Sequence, residues 1–293
     1  MTSGEMILEE KTLYITDLDG TLLNSCKEVS EFTSDCINTL IAKGVNFSIA
    51  SARSAVLTVR LLSGLNINVP VVLMNGVVIY DLCRSKYIKT EYIPVDAVNA
   101  VLSILNEFDI TGFMYAVRND NLITYYENLD SSANRDFYDE RVKKYYKSFE
   151  QVDSFLNKTK SSSIIYFSLI DEYERLSMVL KDLKDQPDID MVLYKDIYTE
   201  NLWYLEIYSI NASKYNAVRY IREYYNFDKI IGFGDNLNDI PLFKACDECY
   251  AVSNAVYELK EKATGIIADH NSDGVARFIV EREAYCKDVK KRS

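Results

Sequence analysis

Two stretches of strand–helix alternation, separated by a long stretch of different rhythm, set the limits on how this chain folds. Leu13-Tyr14-Ile15 is a short apolar run ending at Thr16 and Asp17, the pattern of a strand buried on both faces of a parallel sheet. Ser30 is placed to cap a helix whose Phe32, Cys36, Ile37, Leu40 and Ile41 share one face and which Gly44 stops. Val45, Phe47 and Ile49 alternate up to Ser51; a helix from Ser54 to Leu62 and a strand Val71 to Leu73 follow. The rhythm then changes. Val77 to Tyr80 and Tyr87 to Tyr92 read as paired short strands, Val98 to Phe108 as a helix, and Phe113 to Arg118 with Leu122 to Tyr126 as a hairpin. A polar helix from Ser131 to Lys147, a strand Ile164 to Ile170, a helix Glu172 to Lys184 and short strands toward Ile207 complete this stretch. Alternation returns with a helix from Lys214 to Tyr225 and a strand from Lys229 to Phe233. Pro241 to Ala245 (helix), Tyr250 to Val252 (strand), Tyr257 to Lys262 (helix), a strand from Ile266 and a helix after Asp273 follow, with the tail Lys287 to Ser293 expected to fray. The expected fold is α/β: a parallel-sheet core built from 1–82 and 204–293, interrupted by an α+β insert at 83–203.

Composition removes several functions. Against 44 acidic side chains stand 33 basic ones, a net charge of −11, so the chain lacks the basic face that a nucleic-acid binder needs. A local cluster of charges can still oppose that field and hold a small phosphorylated substrate. No run approaches the roughly 18 apolar residues of a membrane span; the longest, Pro70 to Tyr80, is broken by Asn75 and Gly76. The N-terminus lacks the order of a secretory signal, so a cytoplasmic location is expected and the six scattered cysteines are read as thiols. Cys246 and Cys249 form a CxxC without a second pair to complete a zinc site, and are read as structural. One histidine, His270, lowers the odds of Ser-His-Asp triads and multi-histidine metal sites and leaves the chemistry to carboxylates.

In an open parallel sheet, ligands bind outside the carboxyl ends of the strands. Three such ends are polar: Asp17-Leu18-Asp19-Gly20-Thr21, Ser51-Ala52-Arg53 and Gly234-Asp235-Asn236-Leu237-Asn238-Asp239. Taken singly, the first reads as a loop turn and the third as a capped helix start. Together they bring three carboxylates to one crevice, where unpaired charges repel and a hard divalent cation such as Mg2+ relieves them.

These segments resemble a family. Asp17 to Leu23 is similar to the first motif of the haloacid dehalogenase-like phosphohydrolases, Ser51 stands where the second has Ser or Thr, Lys214 where the third has Lys, and Gly234 to Asp239 is similar to the fourth. The insert resembles the type-2 (C2B) cap of the Cof-like branch, and Phe233 to Asp239 followed by Ile240-Pro241, with the later Asp273-Gly274-Val275-Ala276, also resemble that branch. The resemblance implies a Rossmann-like core with an inserted cap domain for substrate selection, and a Mg2+-dependent phosphatase acting on small phosphomonoesters such as sugar phosphates, pyridoxal phosphate or flavin mononucleotide. It implies Asp17 as the nucleophile forming an aspartyl-phosphate and Asp19 as general acid and base. It implies Asp17, the backbone carbonyl of Asp19 and Asp235 as metal ligands. Ser51, Lys214 and Asn238 would hold phosphate, Asp239 would orient its neighbours, and Arg53 and Asn75 are candidate substrate contacts. The usual Thr-Gly-Arg is Ser51-Ala52-Arg53 here, and the usual Lys-Gly is Lys214-Tyr215, which bears on substrate choice more than on chemistry. Tyr115, Tyr125, Tyr126, Tyr166 and Tyr194 could stack on a substrate ring, although tyrosines in alternating strands more often pack. Two other functions compete: a phosphotransferase or phosphomutase passing the same phosphoryl group to a sugar hydroxyl, and a metabolite-binding module without catalysis, which the intact Asp17 and Asp19 disfavour. Oligomeric state is open.

Overall fold

The computed structural model describes residues 10–145, 148–159, 163–196, 199 and 201–290. The expected end of the polar helix at 146–147 and the last tail residues, 291–293, lie outside them. In chain order the first segment contains β1 (Thr12–Thr16), α1 (Glu31–Ala42), β2 (Asn46–Ile49), α2 (Ala55–Leu61), β3 (Val71–Leu73) and β4 (Val78–Asp81). The middle contains β5 (Lys86–Thr90), α3 (Val95–Glu107), β6 (Gly112–Arg118), β7 (Asn121–Tyr126), α4 (Ser132–Tyr145), β8 (Phe149–Gln151), α5 (Leu156–Thr159), β9 (Ser163–Asp171), α6 (Tyr173–Leu183), β10 (Ile189–Lys195) and β11 (Trp203–Ser209). The last segment contains α7 (Lys214–Tyr225), β12 (Lys229–Gly234), α8 (Ile240–Ala245), β13 (Glu248–Val252), α9 (Tyr257–Lys260), β14 (Gly265–Ile267) and α10 (Gly274–Lys290). No helix among the described residues is long and apolar enough to cross a membrane.

The chain divides into two compact units, one made of Met1–Arg84 with Ser213–Ser293, the other of Ser85–Ala212. The first is α/β. Its sheet has the order β14-β13-β12-β1-β2, with every pair parallel. A parallel bridge between Ala50 and Val72 sets β3 beside the end of β2, and β4 returns antiparallel along β3. Leu13, Ile15, Ile49, Ile230 and Ile231 are fully buried, as strands covered on both faces require. α1 packs with α10, and α7 with α8. β1 has β2 on one side and β12 on the other, so the chain order reverses there and a crevice opens at the carboxyl ends of β1 and β12.

The second unit is α+β. Its sheet has the order β10-β11-β9-β6-β7-β8, antiparallel except for β7 with β8. Val98 and Val101 of α3 and Leu176 and Val179 of α6 share an apolar core with Met114, Phe167, Leu169, Leu205 and Ile207 of the sheet. α4 carries Phe137, which stacks on Phe113 of β6 at 4.6 Å between ring centroids. The unit extends to Ala212, past the expected end at 203, because β11 pairs along its length with both β9 and β10. Of the tyrosines weighed as ring stackers, Tyr125 belongs to the apolar core.

Candidate active site

β1 and β12 place the first carboxylate. Thr16 is in register with Phe233, and the Asp17 N–H donates to the Phe233 carbonyl at 3.0 Å, so Asp17 and Asp235 leave neighbouring strands at the same level. Asp17 is 5% exposed. Its Oδ1 accepts a hydrogen bond from Lys214 Nζ at 2.6 Å, and the same ammonium donates to Asp239 Oδ1 at 2.7 Å. Lys214 is the first residue of α7. Ser213 caps that helix by accepting from the Asn216 N–H at 3.0 Å, which fixes where the lysine leaves the backbone.

Asp239 spends its second oxygen on the backbone: Oδ2 accepts from the N–H groups of Asp235 (3.0 Å) and Asn236 (3.2 Å). Asn236 closes a capping box over this turn, accepting from the Leu237 N–H at 2.8 Å. Asp17, Asp235 and Asp239 bring one carboxylate oxygen each within 4.8 Å of one another. Asp235 receives a hydrogen bond from Thr21 Oγ1 at 3.2 Å. A Cβ at Gly20 would come within 2.5 Å of Asp235 Oδ2, and Gly20 has φ +76°; both features confine this position to glycine. Asn254 ties the same turn down by donating to the Gly20 carbonyl at 2.8 Å.

Burial raises the Asp17 pKa well above the ordinary carboxylate value against the pull of Lys214. Burial, with Asp239 nearby, pushes Asp235 up to about 6. Burial alone would lower Lys214; its two carboxylate partners reverse that and hold the ammonium charged. Three carboxylates around one ammonium leave net negative charge on hard oxygen donors, a donor set that fits a hard divalent cation.

The third strand end completes the crevice. Ala50 N–H donates to the Thr16 carbonyl, Ser51 N–H to Val72 and Asn75 N–H to Ser51. Ser51 is 1% exposed, and its Oγ accepts from the Arg53 N–H at 3.2 Å. Asn75 holds a left-handed backbone, φ +55°, and its Oδ1 is buried without a hydrogen-bond partner. At Gly76 a Cβ would meet the Ser213 carbonyl at 2.2 Å, so the Asn75-Gly76 loop lies directly against the start of α7. Arg53 grips Asp19 through a fork, Nε to Oδ2 and Nη2 to Oδ1, both at 2.7 Å. Of the expected residues, Asp17, Asp235, Asp239 and Lys214 form one cluster, Asp19 pairs with Arg53, and Ser51 and Asn75 sit on the adjoining loop. Asn238 is exposed, in the Leu237–Asp239 turn beside Asp239. Thr21 and Asn254 draw no role from the sequence, whereas Asn236 is the cap that the reading of Gly234 to Asp239 as a capped helix start allows. Thr21 was within reach, standing in the same turn as Asp17 and Asp19; Asn254 had no local signal, since its partner is 234 residues away.

A family model for haloacid dehalogenase-like hydrolases matches residues 14–279. Among curated relatives, the Escherichia coli pyridoxal phosphate phosphatase YbhA is 22% identical over 270 residues, covering 90% of this chain and 95% of the relative. The Bacillus subtilis 5-amino-6-(5-phospho-D-ribitylamino)uracil phosphatase YitU is 24% identical over 285 residues, covering 92% and 96%. A crystal structure from Thermotoga maritima superposes with a TM-score of 0.73 at 26% identity, covering 94% of this chain and 97% of that one. With the match running from β1 into α10, through every strand end of the crevice, this chain belongs to the haloacid dehalogenase-like hydrolase family.

Proposed function

We propose that this protein is a Mg2+-dependent phosphatase that hydrolyses small phosphomonoesters through an aspartyl-phosphate on Asp17. The observation that carries this reading is the buried Lys214 ammonium bound at once to Asp17 and Asp239, beside Asp235, at the end of the central strand. It fixes one carboxylate in a single orientation at the place where an α/β sheet binds ligands. Mg2+ would be held by Asp17, Asp235 and the backbone carbonyl of Asp19. Asp239, with both oxygens engaged, anchors Lys214 and the Asp235 turn. When bound, the cation supplies positive charge between an anionic nucleophile and a phosphate dianion.

The protein's own groups carry the rest. An Asp17 carboxylate oxygen attacks phosphorus, the ester P–O bond breaks, and the departing oxygen takes a proton from Asp19. In the second displacement Asp19 takes a proton from water as the water oxygen attacks phosphorus, the bond to Asp17 breaks, and phosphate leaves. Asp19 performs this work once the arriving substrate draws Arg53 from its carboxylate. Lys214, the Ser51 hydroxyl and the NH2 of the Asn75 amide, which can donate, hold the transferring group, with Asn238 as an outer contact. The second unit selects the ester. Relatives named for pyridoxal phosphate and a phosphoribitylamino-uracil support phosphorylated cofactors and sugar-like phosphates as the class to screen.

Phosphate release across a panel of such esters, with and without Mg2+, tests the reading. Turnover requiring Mg2+ and abolished in Asp17→Asn is expected. Mg2+-independent turnover, or substantial turnover by Asp17→Asn, overturns it. Labelled phosphate appearing on an added sugar instead of in solution would make the protein a phosphotransferase.

A further inference from the structure

The sheet of the second unit has two unlike faces. Alternation along the strands sends Phe167, Leu169, Leu205 and Ile207 into the apolar core shared with α3 and α6. Their neighbours point the other way. The register aligns Val192, Glu206 and Ser168 across three strands, and beside them Asp190, Tyr208 and Tyr166. Tyr115 extends the second row. This face is built of rings: Tyr166 stacks on Tyr208 at 5.7 Å, Tyr115 meets Tyr166 edge-on at 5.6 Å, and Tyr194 lies flat on Tyr204 at 5.4 Å with 8° between planes.

Among the described residues Glu206 makes no ion pair, although the charge of Arg141 reaches it. Tyr194 Oη donates to its Oε1 at 2.8 Å, and the hydroxyl of Tyr166 acts on it from the neighbouring strand. Among the described residues, no lysine or arginine is paired with it. Arg141, whose charge acts on it from α4, is spent elsewhere: it lies 3.4 Å over the Phe137 ring and pairs with Glu140 at 3.3 Å. Asp190, in the adjacent row of this face, adds a second negative charge. Burial raises the Glu206 pKa from the ordinary carboxylate value. A partly desolvated carboxylate whose hydrogen-bond partners are neutral and whose nearest cation is not bonded to it costs stability, and an apolar or amide side chain would serve packing better. Tyr194 is 41% exposed and Glu206 partly exposed, so the arrangement is open to a ligand.

A negative charge walled by electron-rich ring faces is the chemistry that recognises an organic cation, through Coulomb attraction and cation–π contact together. A second anion here would be repelled by Glu206 and Asp190. We propose that the Glu206–tyrosine face of the second unit is a binding site for an organic ammonium group, seated against Glu206 and the paired rings of Tyr194 and Tyr204. The argument uses the second unit alone and does not depend on the reaction at Asp17.

The test titrates the intact protein by calorimetry with choline and with 3,3-dimethyl-1-butanol, which has the same shape without the charge. Choline is expected to bind about tenfold more tightly, the size of a desolvated charge and cation–π contact. Glu206→Gln keeps the shape and removes the charge, and is expected to erase that preference; Tyr194→Phe keeps the ring and is expected to retain it. Equal affinities in the wild type, no choline binding, or a preference that survives Glu206→Gln overturns the proposal. Should Glu206→Gln fail to fold by near-ultraviolet circular dichroism, Tyr194→Ala replaces it, with the same loss expected and its absence equally decisive. Because phosphate release plays no part in these measurements, their failure is separable from failure of the phosphatase reading.

Discussion

Lys214 is 1% exposed and, among the described residues, carries the only positive charge bonded to the Asp17–Asp239 pair. Removing one partner of a buried ion pair leaves uncompensated charge, at a cost of roughly 3–5 kcal/mol. Lys214→Met is expected to lose stability of that order in urea unfolding, and all turnover. Asp17→Asn, nearly isosteric, should abolish turnover; because Lys214 keeps Asp239 as a charged partner and burial already disfavours the Asp17 charge, its unfolding midpoint should fall less than that of Lys214→Met. Gly20 makes a sharper probe of the metal proposal. A methyl there collides with Asp235 Oδ2 while leaving every carboxylate in the sequence, so Gly20→Ala should weaken Mg2+ binding measured by calorimetry; unchanged affinity would remove Asp235 from the ligand set. At this scale the sequence was readable where a residue's type and its place at a strand end coincide, as for Asp17, Asp235 and Lys214. It was not readable where a rotamer decides. Arg53 could equally have faced substrate or formed an ion pair, and nothing local determines that its fork closes on Asp19, 34 positions earlier.

Helix α7 is the element that delivers Lys214, and its start is held twice: by the Ser213 cap and by Gly76, whose backbone has no room for a side chain against Ser213. Ser213→Ala leaves the Asn216 N–H without its acceptor and should cost about 1 kcal/mol, seen as a lowered unfolding midpoint. Because the cap fixes the first turn from which the lysine reaches Asp17, kcat should fall with little change in KM; a change confined to KM would place the effect outside the lysine. The Ser213 cap and the left-handed Asn226 that ends α7 are seen in the folded chain, while its span was legible as Lys214 to Tyr225. Strand β11 was not. Trp203 to Ser209 alternates like any half-buried strand, and its assignment to the second unit is decided by pairing with β9 and β10, which only the folded chain supplies.

Across the whole molecule, the first unit is assembled from the two outer segments of the chain, with Asp17 and Lys214 separated by 197 positions. The C-terminal helix α10 is pinned to that sheet at Glu248 of β13, which accepts both arms of the Arg282 guanidinium (2.6 and 2.8 Å), the Lys229 ammonium (2.6 Å) and the Tyr250 hydroxyl (2.7 Å). The Arg282 fork above all, with Lys229 and Tyr250 and against the opposing effect of burial, lowers the Glu248 pKa from 4.5 to about 2. A carboxyl whose folded value is depressed binds its proton more readily in the unfolded chain. Its contribution is therefore complete above the unfolded value and drains away as pH falls from about 4.5 toward 2. With the side chain 21% exposed, that contribution is on the order of 2 kcal/mol, less than full burial would give. Glu248→Gln should accordingly be less stable than wild type at neutral pH, and the gap should narrow on acidification through this window, read from urea unfolding at a series of pH values. A gap that stayed constant down to pH about 2 would mean the fork contributes through packing rather than charge, and that the seam joining the two chain ends is not the acid-sensitive part of this unit.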